Sequence, residues 1–272
     1  MGARHFACAV TLWAGLAAPV WADARVTVLM DALRMTEVTE ILRSEGLAYA
    51  ASLNADMMDG QGGAFWQNQV DRIYDPQVMQ EVMRAAIEDG METAEIEASA
   101  AFFGSDHGSN IIALENQARV AMADPDIEEA ARAHYELKSE TPDADLALIR
   151  RFSDVNDLLD RNVSGAMTTN FQFYRGLSDG KYITMSEAEM LADVWAQEPE
   201  IREDSEGWLF GFMLLAYQPL PPGDMEAYIA YSKSEAGQAL NAALFAGFDV
   251  IYSDISYALG RAVALNAAGS DL

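Results

Sequence analysis

Cysteine is almost absent from this 272-residue chain: the only one is Cys8. It sits inside an N-terminal apolar run, too early for a lipoprotein attachment site. Without that run the chain has no disulfide, thiolate metal site, covalently attached haem or cysteine nucleophile, and it has no thiol to mispair in an oxidising compartment. Basic residues are scarce as well, with 17 Lys and Arg against 43 Asp and Glu and a net charge of −26. Such a field repels phosphate backbones and anionic lipid heads, which excludes nucleic acid as an expected partner. Of three histidines, only His107 and His134 lie beyond the N-terminal run. No Glu-x-x-His or His-Glu-x-x-His spacing occurs, so a di-iron bundle or zinc hydrolase is not expected. No calcium loop is present, and Gly60-Gln61-Gly62-Gly63 lacks the lysine and strand context of a phosphate loop. No segment alternates with period two, which argues against strands.

What the chain does have begins at its N-terminus. Arg4 and His5 precede a charge-free stretch over residues 6–21 that closes on Val20-Trp21-Ala22, with Asp23 just beyond. That is the pattern of a Sec-type signal peptide, and the run is too short and wrongly flanked for a stable span. Cleavage after Ala22 would leave 16 basic and 43 acidic residues, spread along the chain as solvated helix faces. The longest later apolar stretch, residues 207–217 (GWLFGFMLLAY), is too short to cross a bilayer and reads as a buried helix. Hydrophobic residues at 51% are enough for a packed core.

Helix punctuation is frequent. Asp75-Pro76, Asp124-Pro125 and Thr141-Pro142 read as helix starts, with Thr93 as a further start and Asp224 as a cap. Ser186-Glu187-Ala188-Glu189 is a capping box. Gly90 is a candidate stop. The expected fold is all-α.

An internal repeat organises the chain. Residues 96–108 and 225–237 share the pattern apolar-Glu-Ala-x-x-Ala-aromatic-x-x-Ser-acid-x-Gly, carried by Glu97, Ser105 and Gly108 in the first copy and Glu226, Ser234 and Gly237 in the second. In each, the serine caps a new helix after a short break, the acid sits at its positive end, and the glycine implies a backbone crossing closely. The stripe Met35, Val38, Leu42 aligns with Phe152, Val155, Leu159, and Trp66 falls opposite Trp195. The expected organisation is a signal peptide (1–22) and two tandem homologous helical modules (23–140 and 141–272).

Residues 225–240 resemble the C-terminal signature of the secreted bacterial helical family catalogued as domain of unknown function 2059. That signature is an acid-apolar helix, an aromatic residue, a Ser-Pro-x-Gly step and a long final helix, with Glu235 here in the proline position. Residues 96–111 are a weaker second copy, with Asp106 at that position. The resemblance implies an exported helical protein and transfers no catalytic residue.

Other candidate chemistry is thin. Ser105-Asp106-His107-Gly108-Ser109 gathers a nucleophile, an acid and a base, but sequence neighbours at a helix start do not converge as a triad, and the repeat places Ala236 opposite His107. His134 reads as an exposed helix residue. Asp154, Asp157 and Asp160 share one helix face without a calcium loop around them. Aromatic residues crowd the later half of the second module, and Trp195, Trp208, Tyr228 and Tyr231 are the candidates for a ligand or partner surface. The leading expectation is a periplasmic or secreted non-catalytic interaction or assembly protein, partnered by another periplasmic protein or a second copy, with no integral span after signal removal. The alternatives are a small apolar-ligand carrier using the aromatic second module, and a hydrolase drawing on His107, Glu97 or Glu226. No cofactor or metal is expected.

Overall fold

A computed structural model describes residues 18–269, with side chains from Ala24 to Ala267 apart from Pro222. Most of the expected signal peptide therefore lies outside the described residues. Among these residues the chain is all-α: thirteen helices and no strand. The first seven are α1 (Ala18–Ala32), α2 (Met35–Met58), α3 (Gly63–Ile73), α4 (Pro76–Gly90), α5 (Thr93–Phe103), α6 (Asp106–Met122) and α7 (Pro125–Ser139). The remaining six are α8 (Ala144–Asn156), α9 (Leu158–Asp179), α10 (Glu187–Ala196), α11 (Glu198–Tyr217), α12 (Pro222–Ser232) and α13 (Glu235–Gly269).

Capping chemistry sets many of these boundaries. Asp75 and Asp124 each accept the backbone N–H two residues on and place proline at the first helical position of α4 and α7. Ser186 and Glu189 form the expected reciprocal box at α10. α5 begins at Thr93 as expected, with Glu92, boxed with Glu95, as its cap. Two starts differ from the sequence reading. Asp143, not Thr141, caps α8, its carboxylate accepting from Leu146 N at 2.8 Å. Asp224 lies inside the first turn of α12 rather than capping it.

Two breaks turn on a left-handed residue that is not glycine. Arg34 (φ 49°) separates α1 from α2, and Asp157 (φ 55°) separates α8 from α9. Arg151 lies within α8, six residues before the Asp157 break. The Met35, Val38, Leu42 stripe stays on α2, whereas Phe152, Val155, Leu159 straddles the α8–α9 break. Trp66 and Trp195 also part company: Trp66 is buried in α3, whereas Trp195 is 66% exposed on α10. The expected module boundary falls in the link between α7 and α8.

The helices interleave rather than forming two separate cores. α1 packs on α5 and α8 on α12, while α4 packs on α13 and α11 on α6. The fourth helix of each half thus lies against the sixth helix of the other. α13 is the centre, touching α2, α3, α4, α5, α9 and α12. By length and composition alone it is the one helix among the described residues that could cross a membrane; here six other helices pack against it. Its tightest contact is with α9. A Cβ on Gly176 would lie 2.9 Å from Arg261 N, and one on Gly260 2.9 Å from Leu177 N, so only glycine permits this backbone approach. Continuous burial through Val26, Leu29, Met83, Ile87, Ile111 and Val263, all fully buried, stabilises the core by roughly 1.5–3 kcal/mol per side chain.

Candidate functional site

The repeated corners come first, because they place one wall of the site. At α5–α6, Ser105 Oγ accepts from Gly108 N at 3.2 Å and donates to Phe102 O at 2.6 Å. At α12–α13, Ser234 Oγ accepts from Gly237 N at 3.1 Å and donates to Tyr231 O at 2.6 Å. The glycines are required by the preceding helix end: a Cβ on Gly108 would lie 2.7 Å from Phe103 Cα, and one on Gly237 2.8 Å from Ser232 Cα. Glu97 pairs with Arg25 and Glu226 with Arg151, which fastens α5 to α1 and α12 to α8. The two corners also meet. Phe102 and Tyr231 stack with ring centres 4.2 Å apart and planes within 7°. Tyr231 Oη donates to the fully buried Ser99 Oγ at 2.8 Å.

Below this stack lies a pocket of about 310 Å³. Its apolar walls come from both halves: Leu33, Met35 and Val38 at the α1–α2 break, Phe103 and Ile112 of α5 and α6, Phe152 of α8, Leu209 and Met213 of α11, and Leu240, Leu244 and Phe248 of α13. None of its lining residues is exposed, and Val38, Leu158, Phe212, Leu244, Phe245 and Phe248 are only half-buried, which places them at the rim. The volume is at the small end for a ligand site, and an apolar wall with few polar groups is the usual composition of one.

The polar groups of the pocket cluster on α6. Glu115 is half-buried and lines the pocket. Its Oε1 accepts from Tyr217 Oη at 2.7 Å and from Tyr228 Oη at 3.2 Å. Burial pushes its pKa up to about 7, against the pull of the two tyrosine hydroxyls, which favour the carboxylate. Burial likewise holds both tyrosines well above the usual phenol range, with the Glu115 charge adding to it. Tyr231 is raised to about 12 by burial. Next to Glu115, the buried Asn116 carries a side-chain Nδ2 with no hydrogen-bond partner. A buried donor left unpaired is costly and rare in folded proteins. One turn on, Arg119 holds both oxygens of Glu45 with Nε and Nη2 at 2.8 and 2.9 Å, and Nη2 also reaches Tyr252 Oη at 3.3 Å. Burial alone would lower its pKa, but Tyr252 and Glu45 outweigh that and hold the guanidinium charged.

Of the four aromatic candidates, the structure brings Tyr228 and Tyr231 to the pocket and leaves the tryptophans outside it. Trp208 stacks on Phe212 with ring centres 5.3 Å apart, behind the wall. Trp195 stands exposed on α10 with Leu191 one turn before it. His107 is exposed and pairs with Asp224 at 2.9 Å, tying α6 to α12; Ser105 is occupied in its corner. His134 is exposed on α7. Asp157 faces Arg161 at 3.7 Å and Asp160 faces Arg202 at 2.7 Å, so these acids are held by arginines. Among the described residues no group of three or more His, Asp or Glu could hold a metal ion.

Sequence reasoning missed Glu115 and Asn116. The signal was present: on α6 the buried positions Gly108, Ile111, Ile112, Ala118 and Met122 form one face, and Glu115 interrupts that face at the same spacing. Comparisons with family models, with curated proteins and with solved structures give no match to the chain. The likeness of residues 225–240 to the secreted helical family therefore rests on the corner motif, and the site is read from its own geometry.

Proposed function

We propose that this chain is a non-catalytic small-molecule binding protein, an exported duplicated helical unit whose two halves close around one apolar pocket. The observation that carries the reading is the pairing of Asn116 and Glu115 in that pocket. Asn116 presents a donor with nothing to donate to, and no hydrogen bond among the described residues reaches Glu115 Oε2. Polar groups left open inside an apolar wall are what a bound molecule would complete. Duplication is supported by matching helix order, with α1–α6 and α8–α13 each closing on a Ser-acid-x-Gly corner and α7 between them. Export is supported by the leader pattern of residues 1–22.

Native mass spectrometry of the protein purified gently from its natural host tests this reading. Retention of a small added mass that Asn116→Leu abolishes is the expected result. A bare chain that also fails to bind any member of a small amphipathic library overturns it.

A second reading, an interaction or assembly protein, is favoured by Leu191 and Trp195. They stand one turn apart on α10, 42% and 66% exposed, and apolar side chains grouped at a surface mark contact sites. A protein-sized added mass lost on Trp195→Ser would establish that role. The hydrolase reading has no such observation: His107 contacts Asp224, Glu97 and Glu226 sit in separate ion pairs with arginines, and none lines the pocket.

A further inference from the structure

We propose that the pocket is built for an organic cation, a small apolar skeleton bearing a protonated amine, whose charge meets Glu115. The inference rests on the binding reading above and names its ligand class.

The charges that face the pocket decide the sign. Two lining side chains are an acid or a strong base, Glu115 and Arg119, both on α6. Arg119 is engaged in a two-pronged contact with Glu45 from α2, so its charge is answered. Glu115 has no cationic partner within 4.0 Å among the described residues; α11 and α12 offer it only the neutral hydroxyls of Tyr217 and Tyr228. Counting Glu115, Arg119 and Glu45 together, the pocket lacks one positive charge. A buried carboxylate without a counter-ion is the costly half of an ion pair, and its pKa near 7 registers that cost.

The rings point to the same ligand. Phe152, Tyr217 and Tyr228 form a mutually packed trio beside Glu115, with Phe152 and Tyr228 centres 4.5 Å apart and Tyr217 and Tyr228 6.3 Å apart. Aromatic rings stabilise alkylammonium groups through their negative faces, most strongly where water is excluded. At longer range the net charge of −26 concentrates cations and repels anions. An anionic ligand would have to displace Glu45 from Arg119.

The test is calorimetric titration with benzylamine, phenethylamine and cyclohexylamine, each beside the alcohol of the same skeleton, at about pH 8 where these amines are charged. At least one amine is expected to bind about ten-fold tighter than its alcohol. Repeating the titration near pH 7 in two buffers of different ionisation enthalpy should show proton release on amine binding, from the protonated fraction of Glu115. Glu115→Gln, which keeps an acceptor for both tyrosines, should remove the preference of the pocket for the amine over its alcohol. Alcohols that bind as well as the amines, or a preference that survives Glu115→Gln, overturn the cation while leaving the pocket reading standing. No binding by either series overturns the cation, and with no retained small mass it removes the pocket reading too.

Discussion

Gly176 on α9 and Gly260 on α13 stand directly opposite each other: a Cβ built on Gly176 would lie 3.0 Å from the Gly260 Cα, and one built on Gly260 3.1 Å from the Gly176 Cα. The two helices therefore touch backbone to backbone, and the central helix sits deeper in the fold than any side chain between them would allow. Gly176→Val or Gly260→Val should cost at least about 1–3 kcal/mol through overpacking and lower the melting temperature accordingly. Gly165→Ala is the control. On the same helix its Cβ would meet only Asp249 Oδ1 at 3.5 Å, so it should be neutral or stabilise by up to about 1 kcal/mol through helix propensity. Equal melting temperatures for Gly176→Val and wild type would refute the close contact.

The two serine corners make a parallel prediction. Gly237→Leu and Gly108→Leu should each destabilise the whole interleaved fold, because each side chain would be driven into the end of the preceding helix. Circular dichroism melts read this directly, and an unchanged transition for either variant would contradict the corner geometry. Ser234→Ala removes only the cap and should cost about 1 kcal/mol.

Glu115 gives the fold a pH dependence of definite sign. Its pKa is raised by burial from 4.5 to about 7, so the folded protein binds this proton more tightly than the unfolded chain. The associated stability is fully present below about pH 4.5 and is lost as pH rises through about 7. The loss is at most about 3 kcal/mol at neutral pH and above. The stability difference between wild type and Glu115→Gln isolates it from the surface carboxylates. Across that window, rising pH should weaken wild type relative to the variant; a difference independent of pH would show that Glu115 is not desolvated.

Asn116→Leu separates stability from function. Removing an unpaired buried donor should stabilise the empty protein by about 1–3 kcal/mol, while the same substitution should abolish retention of the bound molecule. A destabilised variant would mean that Asn116 already has a partner, such as an ordered water.

The helix boundaries that the sequence announced were those with local chemistry. Asp75-Pro76, Asp124-Pro125 and the Ser186 box act within a turn of themselves, and all three stand where read. The breaks at Arg34 and Asp157 were not legible, because the left-handed residue at each is neither glycine nor asparagine. The sequence pairing therefore set Arg34 against Arg151, six residues before the Asp157 break. The site was half legible. Tyr228 and Tyr231 stood out by composition, but composition could not say which aromatic rings face a cavity, and Trp195 and Trp208 do not. Glu115 lies in the other half of the chain, and its meaning depends on tyrosines more than a hundred residues away, which no local pattern encodes.

Because α13 is the last helix in the chain and also the one on which α2, α3, α4 and α5 rest, the order of synthesis runs against the order of packing. The first half emerges complete yet without its central support, so its apolar faces stay uncovered until residue 235 and beyond have appeared. Docking of the first half onto its central helix therefore waits until α13 has been made.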